Sequence, residues 1–62
     1  MSETAKEALE MLYHMLKQTR IAQANAERRN ARQDELDALR RKIRVLDFLI
    51  DCTLKENESN EH

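Results

Sequence analysis

Two apolar stripes at helical spacing run through this chain, and they do not share a register. In the first stripe, between Ala5 and Thr19, the residues of the stripe follow one another at steps of three and four. The second stripe, between Leu36 and Ile50, has the same spacing. Each stripe indicates one face of an amphipathic helix. Leu9 and Leu36 lie 27 residues apart, one residue short of four heptads. Because one residue turns a helix by roughly 100°, a single coiled coil would have to change its contact face midway.

A reversal of the chain removes this conflict, because the stripes of two separate helices only need to face each other. We therefore predict an all-α fold, a two-helix antiparallel hairpin, with one long helix in a coiled coil as the alternative. The expected elements of this single small helical domain are helix 1 at about 4–28, a turn at about 29–33, helix 2 at about 33–56 and a disordered acidic tail at about 57–62.

Local end signals agree with a reversal at this place. Arg28 would lie at the carboxyl end of helix 1, where the helix dipole favours cations, and Asp34 at the amino end of helix 2, where it favours anions. Asn30 suits the left-handed backbone conformation that closes many helices, or it caps the second helix together with Gln33 three residues on. The chain contains no glycine and no proline, so neither of these residues marks the turn.

The chain is too short to bury a large core alone. A domain of about 60 residues buries only about 60% of the surface that its unfolded form exposes, and natural proteins of this size add disulfides, a metal or oligomerisation. The single cysteine, Cys52, excludes an internal disulfide, and two histidines with one cysteine do not make a structural zinc set. We therefore predict a homo-oligomer, with a dimer that forms a four-helix bundle as the favoured state. The predicted core and oligomer contacts are Leu9, Leu12, Met15, Leu16, Leu36, Leu39, Ile43, Leu46, Leu49 and Ile50.

The sequence offers no set of residues that would make a catalytic site. A cysteine nucleophile needs a base beside it, and in the hairpin His14 would lie more than a helical turn from Cys52, which is interpreted as a small, partly buried apolar side chain. No phosphate-binding loop and no metal-ligand motif occurs. We expect a protein that is not an enzyme and that uses no cofactor and no metal.

Composition also bears on location. No run of residues approaches the roughly 20 apolar residues of a membrane span, and the amino terminus lacks the basic-then-apolar pattern of a signal peptide. An unpaired thiol is typical of a reducing compartment. These features predict a cytoplasmic protein without a membrane partner.

The charge is unevenly distributed along the chain, although its net value is only -1. Residues 27–44 carry seven bases and four acids, whereas residues 45–62 carry five acids and Lys55. A basic segment followed by heptads superficially resembles a basic leucine zipper, but Glu27 and Asp34 interrupt the charge and the segment has no aromatic residue for base stacking. The candidate partner surface consists of Arg28, Arg29, Arg32, Arg40, Arg41 and Arg44.

These features together predict a small intracellular protein-interaction module, a regulator, inhibitor or co-chaperone that acts through an oligomeric helical bundle. In size and plan such a bundle resembles plasmid copy-control proteins and hairpin co-chaperones of secretion systems, a resemblance of architecture that assigns no residue a role. The expected partner is another protein. The alternatives are a nucleic-acid-binding regulator that uses the arginine-rich middle segment and a purely structural oligomerisation module.

Overall fold

The fold consists of two long helices joined by a short turn. A computed structural model describes residues 2–60, and their side chains as far as residue 57. The helices α1, over Glu3–Arg28, and α2, over Gln33–Asn60, pack against each other in a rod of 49 × 15 × 11 Å, and no strand occurs in the described part of the chain. The predicted all-α helical hairpin is confirmed, and the chain is not one continuous helix.

The first helix begins where the sequence supplies a cap. The Ser2 Oγ accepts a hydrogen bond from the backbone N–H of Ala5 at 3.1 Å, so one of the amide groups that lack a partner in a first helical turn is satisfied. Glu3 adds negative charge to the same turn, which the helix dipole favours. The amino end of α1 is thus fixed by two adjacent side chains.

The reversal takes four residues, 29–32, and is closed by Asn30, whose φ is 56°. The N–H of Ala31 donates to the carbonyl oxygen of Ala26 at 2.9 Å, and the N–H of Asn30 donates to that of Glu27 at 3.2 Å. These two bonds define a Schellman motif, in which glycine is the usual left-handed residue. Since the chain has no glycine, asparagine supplies this conformation, which it tolerates better than most residues.

Asn30→Val is expected to destabilise the hairpin by about 1–2 kcal/mol, because a β-branched side chain is costly at positive φ. Asn30→Gly is the matched control, and we expect it to retain or slightly raise the melting temperature. Thermal unfolding followed by circular dichroism measures both variants. The same melting temperature for the valine and glycine variants would contradict a left-handed conformation at residue 30.

The start of α2 has two local hydrogen bonds and one ion pair to the end of α1. The N–H of Leu36 donates to the carbonyl oxygen of Arg32 at 3.1 Å, and Asp34 Oδ1 accepts a bond from the N–H of Glu35 at 2.9 Å. Across the turn, Arg29 Nη2 and Glu35 Oε2 form an ion pair at 3.3 Å. Because this pair is exposed, it contributes no more than about 1 kcal/mol to stability.

The second helix continues through Asn60, which corrects the prediction that a disordered tail begins at residue 57. The Nδ2 of Asn57 donates to the carbonyl oxygen of Thr53 at 3.0 Å, and the hydroxyl of Thr53 donates one turn further back at 2.8 Å. These polar side chains bond within the helix, and no glycine or proline ends it. Residues 61–62 of the predicted tail lie outside the described residues.

The core is a narrow seam between the helices. Leu9 and Leu16 of α1 form one buried cluster with Leu46 and Ile50 of α2, and Leu46 is only 3% exposed. Closer to the turn the buried apolar residue is Ala26, so the largest buried side chains lie away from the turn. The partly buried side chains that pack against the cluster are Leu12, Ile43 and Leu54.

One polar side chain, Thr19, is buried in this seam at 4% exposure. Its hydroxyl donates to the carbonyl oxygen of Met15 at 2.7 Å. Because this bond satisfies the hydroxyl within α1, the methyl group is left to make apolar contacts. Thr19 therefore continues the apolar stripe, in agreement with its spacing in the sequence.

Candidate interaction surface

More large apolar side chains are exposed than buried on this hairpin. Two helices enclose only one seam, so apolar residues beside that seam face solvent when the stripe is broad. Met11 is the most exposed of them at 67%, and Phe48 follows at 65%. In the described part of the chain the exposed large apolar side chains are Met11, Tyr13, Met15, Ile21, Val45, Phe48 and Leu49.

The ten predicted core and oligomer residues fall into three groups. The exposed group is Met15 and Leu49, which contribute little to the core of a single chain. The contacts of all ten residues with a second chain stay a prediction. Met15 and Leu49 would be buried only through such contacts. The buried group is Leu9, Leu16, Leu46 and Ile50, and the half-buried group is Leu12, Leu36, Leu39 and Ile43.

One side of the hairpin is more apolar than the other. A shallow groove on this side lies between Met15 and Ala22 of α1 and Leu39 and Lys42 of α2. Residues three and four positions along each helix from Met15 and from Lys42 lie in rows on the same side. This surface is named the apolar flank, and its residues are Ala8, Met11, Met15, Gln18 and Ala22 of α1 with Ala38, Lys42, Val45, Leu49, Cys52 and Glu56 of α2.

The opposite side of the seam is rich in charge. Arg40 and Lys42 are two residues apart in α2, a rotation of about 200°, so they emerge on opposite sides of the seam. Arg40, Arg44 and Asp47 line a groove there, and Lys17 and Arg20 line another on α1. This surface is named the charged flank, and its residues are Tyr13, Lys17, Arg20, Arg40, Arg44 and Asp47.

The six arginines of the predicted partner surface are all exposed, but they do not form one patch. Three lie at the turn end, two on the charged flank and one on the outer face of α2, away from α1. In this order they are Arg28, Arg29 and Arg32, then Arg40 and Arg44, and then Arg41. About 18 Å of helix separates the turn end from Arg44, and Arg29 is already paired with Glu35.

Cys52 is exposed, which corrects the prediction of a partly buried side chain. It follows the buried Ile50 by two residues, and a rotation of about 200° carries it away from the seam. Its place is on the apolar flank, three residues beyond Leu49.

Met11 and Val45 are not among the ten predicted core and oligomer residues, although the sequence places both at the edges of the two apolar stripes, where a second copy or a partner helix would cover them. Met11 precedes Met15 by four residues, and Val45 precedes Leu49 by four, so each pair lies side by side on its helix. The four side chains together make up the large apolar part of the flank.

The described residues form two long, open surfaces, the apolar flank and the charged flank. Within residues 2–60, no three His, Cys, Asp or Glu side chains come together in a way that could hold a metal ion. Neither α1 nor the described part of α2 combines the length and the apolar content needed to cross a membrane.

Comparison with known proteins gives no match to this chain among protein families, curated proteins or solved structures. The arrangement of the two flanks therefore supplies the argument for function.

Proposed function

We propose that this chain is a small non-enzymatic protein-interaction module of the regulator, inhibitor or co-chaperone type, which works as a homodimeric helical bundle. The observation that carries the proposal is the apolar flank, where Met11 and Met15 lie on the same side as Val45 and Leu49, all of them exposed. Apolar surface that is gathered on one side marks a site of association. The exposed thiol of Cys52 suits a reducing compartment such as the cytoplasm.

The extent of exposed surface supports a dimer. The hairpin exposes 5014 Å², whereas a compact monomer of this mass exposes roughly 4,200 Å². The rod shape accounts for this excess, and its size of about 800 Å² is similar to the area that each partner buries in a protein interface of standard size. Two hairpins that pack flank against flank would form a four-helix bundle and cover this excess.

The charged flank would face outward in such a bundle. Its centre holds four cations, Lys17, Arg20, Arg40 and Arg44, beside the exposed ring of Tyr13. Arg40 pairs with Asp37 at 3.8 Å and Asp47 lines the same groove, so Lys17, Arg20 and Arg44 supply most of the positive charge. Arginine and tyrosine are enriched at protein interfaces, and cations steer association toward acidic surfaces. We therefore assign the charged flank to the binding of an acidic surface on another protein.

Sedimentation analysis through the micromolar range tests the bundle. We expect a particle of about twice the 7.4 kDa chain mass that dissociates on dilution. A single-chain mass at every concentration would contradict the homodimer.

Nucleic-acid binding is the second candidate function, because Arg40 and Arg44 line one groove.

We expect Arg40→Glu with Arg44→Glu to reduce capture of protein partners from cell lysate at least tenfold, since charge reversal on the contact surface repels an acidic partner. The matched control is Arg28→Glu with Arg41→Glu, which changes the net charge equally but lies off the charged flank, and it should retain capture. Quantitative mass spectrometry compares the two variants with the unchanged protein.

The same variants separate the two functions. Nonspecific affinity for nucleic acid depends on the number of phosphates neutralised and falls steeply with salt. Equal loss of duplex DNA or RNA affinity in both double variants, together with a steep salt dependence, would favour the nucleic-acid function over the protein function.

A further inference from the structure

We propose that the apolar flank is the surface through which two copies of this chain associate, with their turns at opposite ends of the bundle and a two-fold axis at the level of Leu49. This inference rests on the proposed homodimer and adds its orientation and register. It depends on the positions of charged and apolar residues along the two helices.

The first observation is the position of charge in α2. Lys42 and Glu56 are both exposed, and each lies seven residues from Leu49. Seven residues are two helical turns, so the three residues form one row. When two copies of α2 run antiparallel with Leu49 against Leu49, Lys42 of each chain lies opposite the partner's Glu56. The charges at the two ends of the row are therefore self-complementary.

The second observation comes independently from α1. Because α1 ends at Arg28 and α2 begins at Gln33, residues at the same level of the hairpin have numbers that sum to about 61. The groove that contains Thr19 and Lys42 agrees with this register. Leu49 is thus level with Leu12 of α1.

Two methionines lie on either side of this level, Met11 one residue before Leu12 and Met15 three residues beyond it. An axis at the level of Leu49 therefore brings Met11 of one chain within about 3 Å, measured along the helices, of the partner's Met15. The row of charges in α2 and the pair of methionines in α1, whose midpoint is position 13, agree on this axis to within one residue, although they belong to different helices.

The arrangement with both turns at one end lacks this complementarity. A two-fold axis along the rod would set α1 of one chain against α2 of the other at equal level. Lys42 would then lie near the partner's Gln18, and Glu56 near the partner's Thr4. Neither of these residues carries an opposite charge, so the charges favour turns at opposite ends.

The proposed axis also determines which cysteines can form a disulfide. Cys52 lies three residues from Leu49, so two copies of Cys52 would be about 9 Å apart along the helices. A disulfide requires Cα atoms within about 7 Å. Val45 lies four residues from Leu49 in the other direction and is therefore nearly level with the partner's Cys52.

Disulfide formation in a glutathione redox buffer tests this geometry with the full-length chain. We expect Leu49→Cys, made in a Cys52→Ser background, to link two chains across the axis. We expect Val45→Cys to link to the partner's Cys52, and the unchanged protein to remain largely unlinked. Efficient linkage through Cys52 in the unchanged protein, with none at residue 49, would overturn the proposed register.

A charge exchange provides a second readout. Lys42→Glu should weaken the dimer roughly tenfold, because it replaces two exposed ion pairs with two like-charge contacts. Adding Glu56→Lys to that variant should restore the dissociation constant to within about threefold of the original. The control Arg40→Glu makes the same charge change on the opposite side of the seam and should leave the dimer unchanged. A double variant as weak as Lys42→Glu alone would overturn the pairing.

The failures of the two proposals are distinguishable by mass. A dimer with the wrong linkage pattern would overturn the axis and leave the homodimer standing. A protein that sediments as a single chain would overturn both.

Discussion

Leu46→Ala is expected to unfold most of the protein or to lower its melting temperature by more than any other single truncation. Leu46 is the most buried leucine, at 3% exposure, in a cluster with Leu9, Leu16 and Ile50. Truncation of a buried leucine to alanine costs about 2–5 kcal/mol, because transfer energy is lost and a cavity remains. A domain of this size rarely derives more than about 3–5 kcal/mol from its core. The loss is therefore comparable to the whole stability, and circular dichroism during heating measures it.

Two other truncations in α2 serve as comparisons for the stability loss expected of Leu46→Ala. Phe48→Ala removes a larger side chain two residues away, but the ring is exposed on the outer face, and we expect a change within about 0.5 kcal/mol. Ile43→Ala should fall between the two, since Ile43 is partly buried against the cluster. A melting temperature that Leu46→Ala leaves unchanged would show that the seam does not hold the hairpin together.

Leu49→Glu is expected to abolish dimer formation and weaken self-association more than a hundredfold. The substitution places two carboxylates face to face at the proposed axis, where each would lose water and gain no partner. The unchanged protein should melt at a temperature that rises with concentration, as linkage to association requires. The variant should lose this dependence, and sedimentation should give a mass close to 7.4 kDa.

The matched control is Ile21→Glu, which adds the same charge to another exposed apolar side chain. Ile21 lines a groove with Lys17 and Arg20 on the charged flank of α1, so this variant should keep the dimer. If Leu49→Glu remains dimeric at the concentrations where the unchanged protein is dimeric, the apolar flank is not the interface.

Much of the hairpin was predictable from the sequence, because helical periodicity is a local property. The offset between the stripes around Leu9 and Leu36 excluded one contact face for a single helix, and the reversal removed that conflict. Asn30 was identified because few residues other than glycine adopt positive φ at low cost. Its observed φ of 56° agrees with that reasoning.

The division of the surface into two flanks was harder to predict. In the linear sequence Arg40 and Lys42 belong to one basic segment, yet a helix separates them by about 200°. Whether such neighbours act together depends on where the second helix packs, which no local pattern contains. The six predicted arginines were therefore grouped by proximity in the chain, and the structure separates them into three places.

The end of α2 and the exposure of Cys52 show a different limit. Composition near the carboxyl terminus suggested disorder, but the bond from Asn57 to Thr53 satisfies polar groups within the helix. Such bonds depend on rotamers that residue type alone does not fix. Partial burial was predicted for Cys52 because cysteine is often buried in proteins. The rotation of about 200° from the buried Ile50 to Cys52 predicts its exposure better.

The short turn has a consequence for the order in which the chain folds. The bond from the Ala31 N–H to the Ala26 carbonyl oxygen closes a loop of only a few residues, which costs little entropy, but the side chains beside the turn bury little apolar area. Leu9 and Ile50, whose burial contributes far more, are separated by 41 residues. We therefore expect the chain to order most of both helices before these distant contacts form. Since Leu49 lies in that same half of the rod, the second copy is placed against the part of the hairpin that we expect to order last.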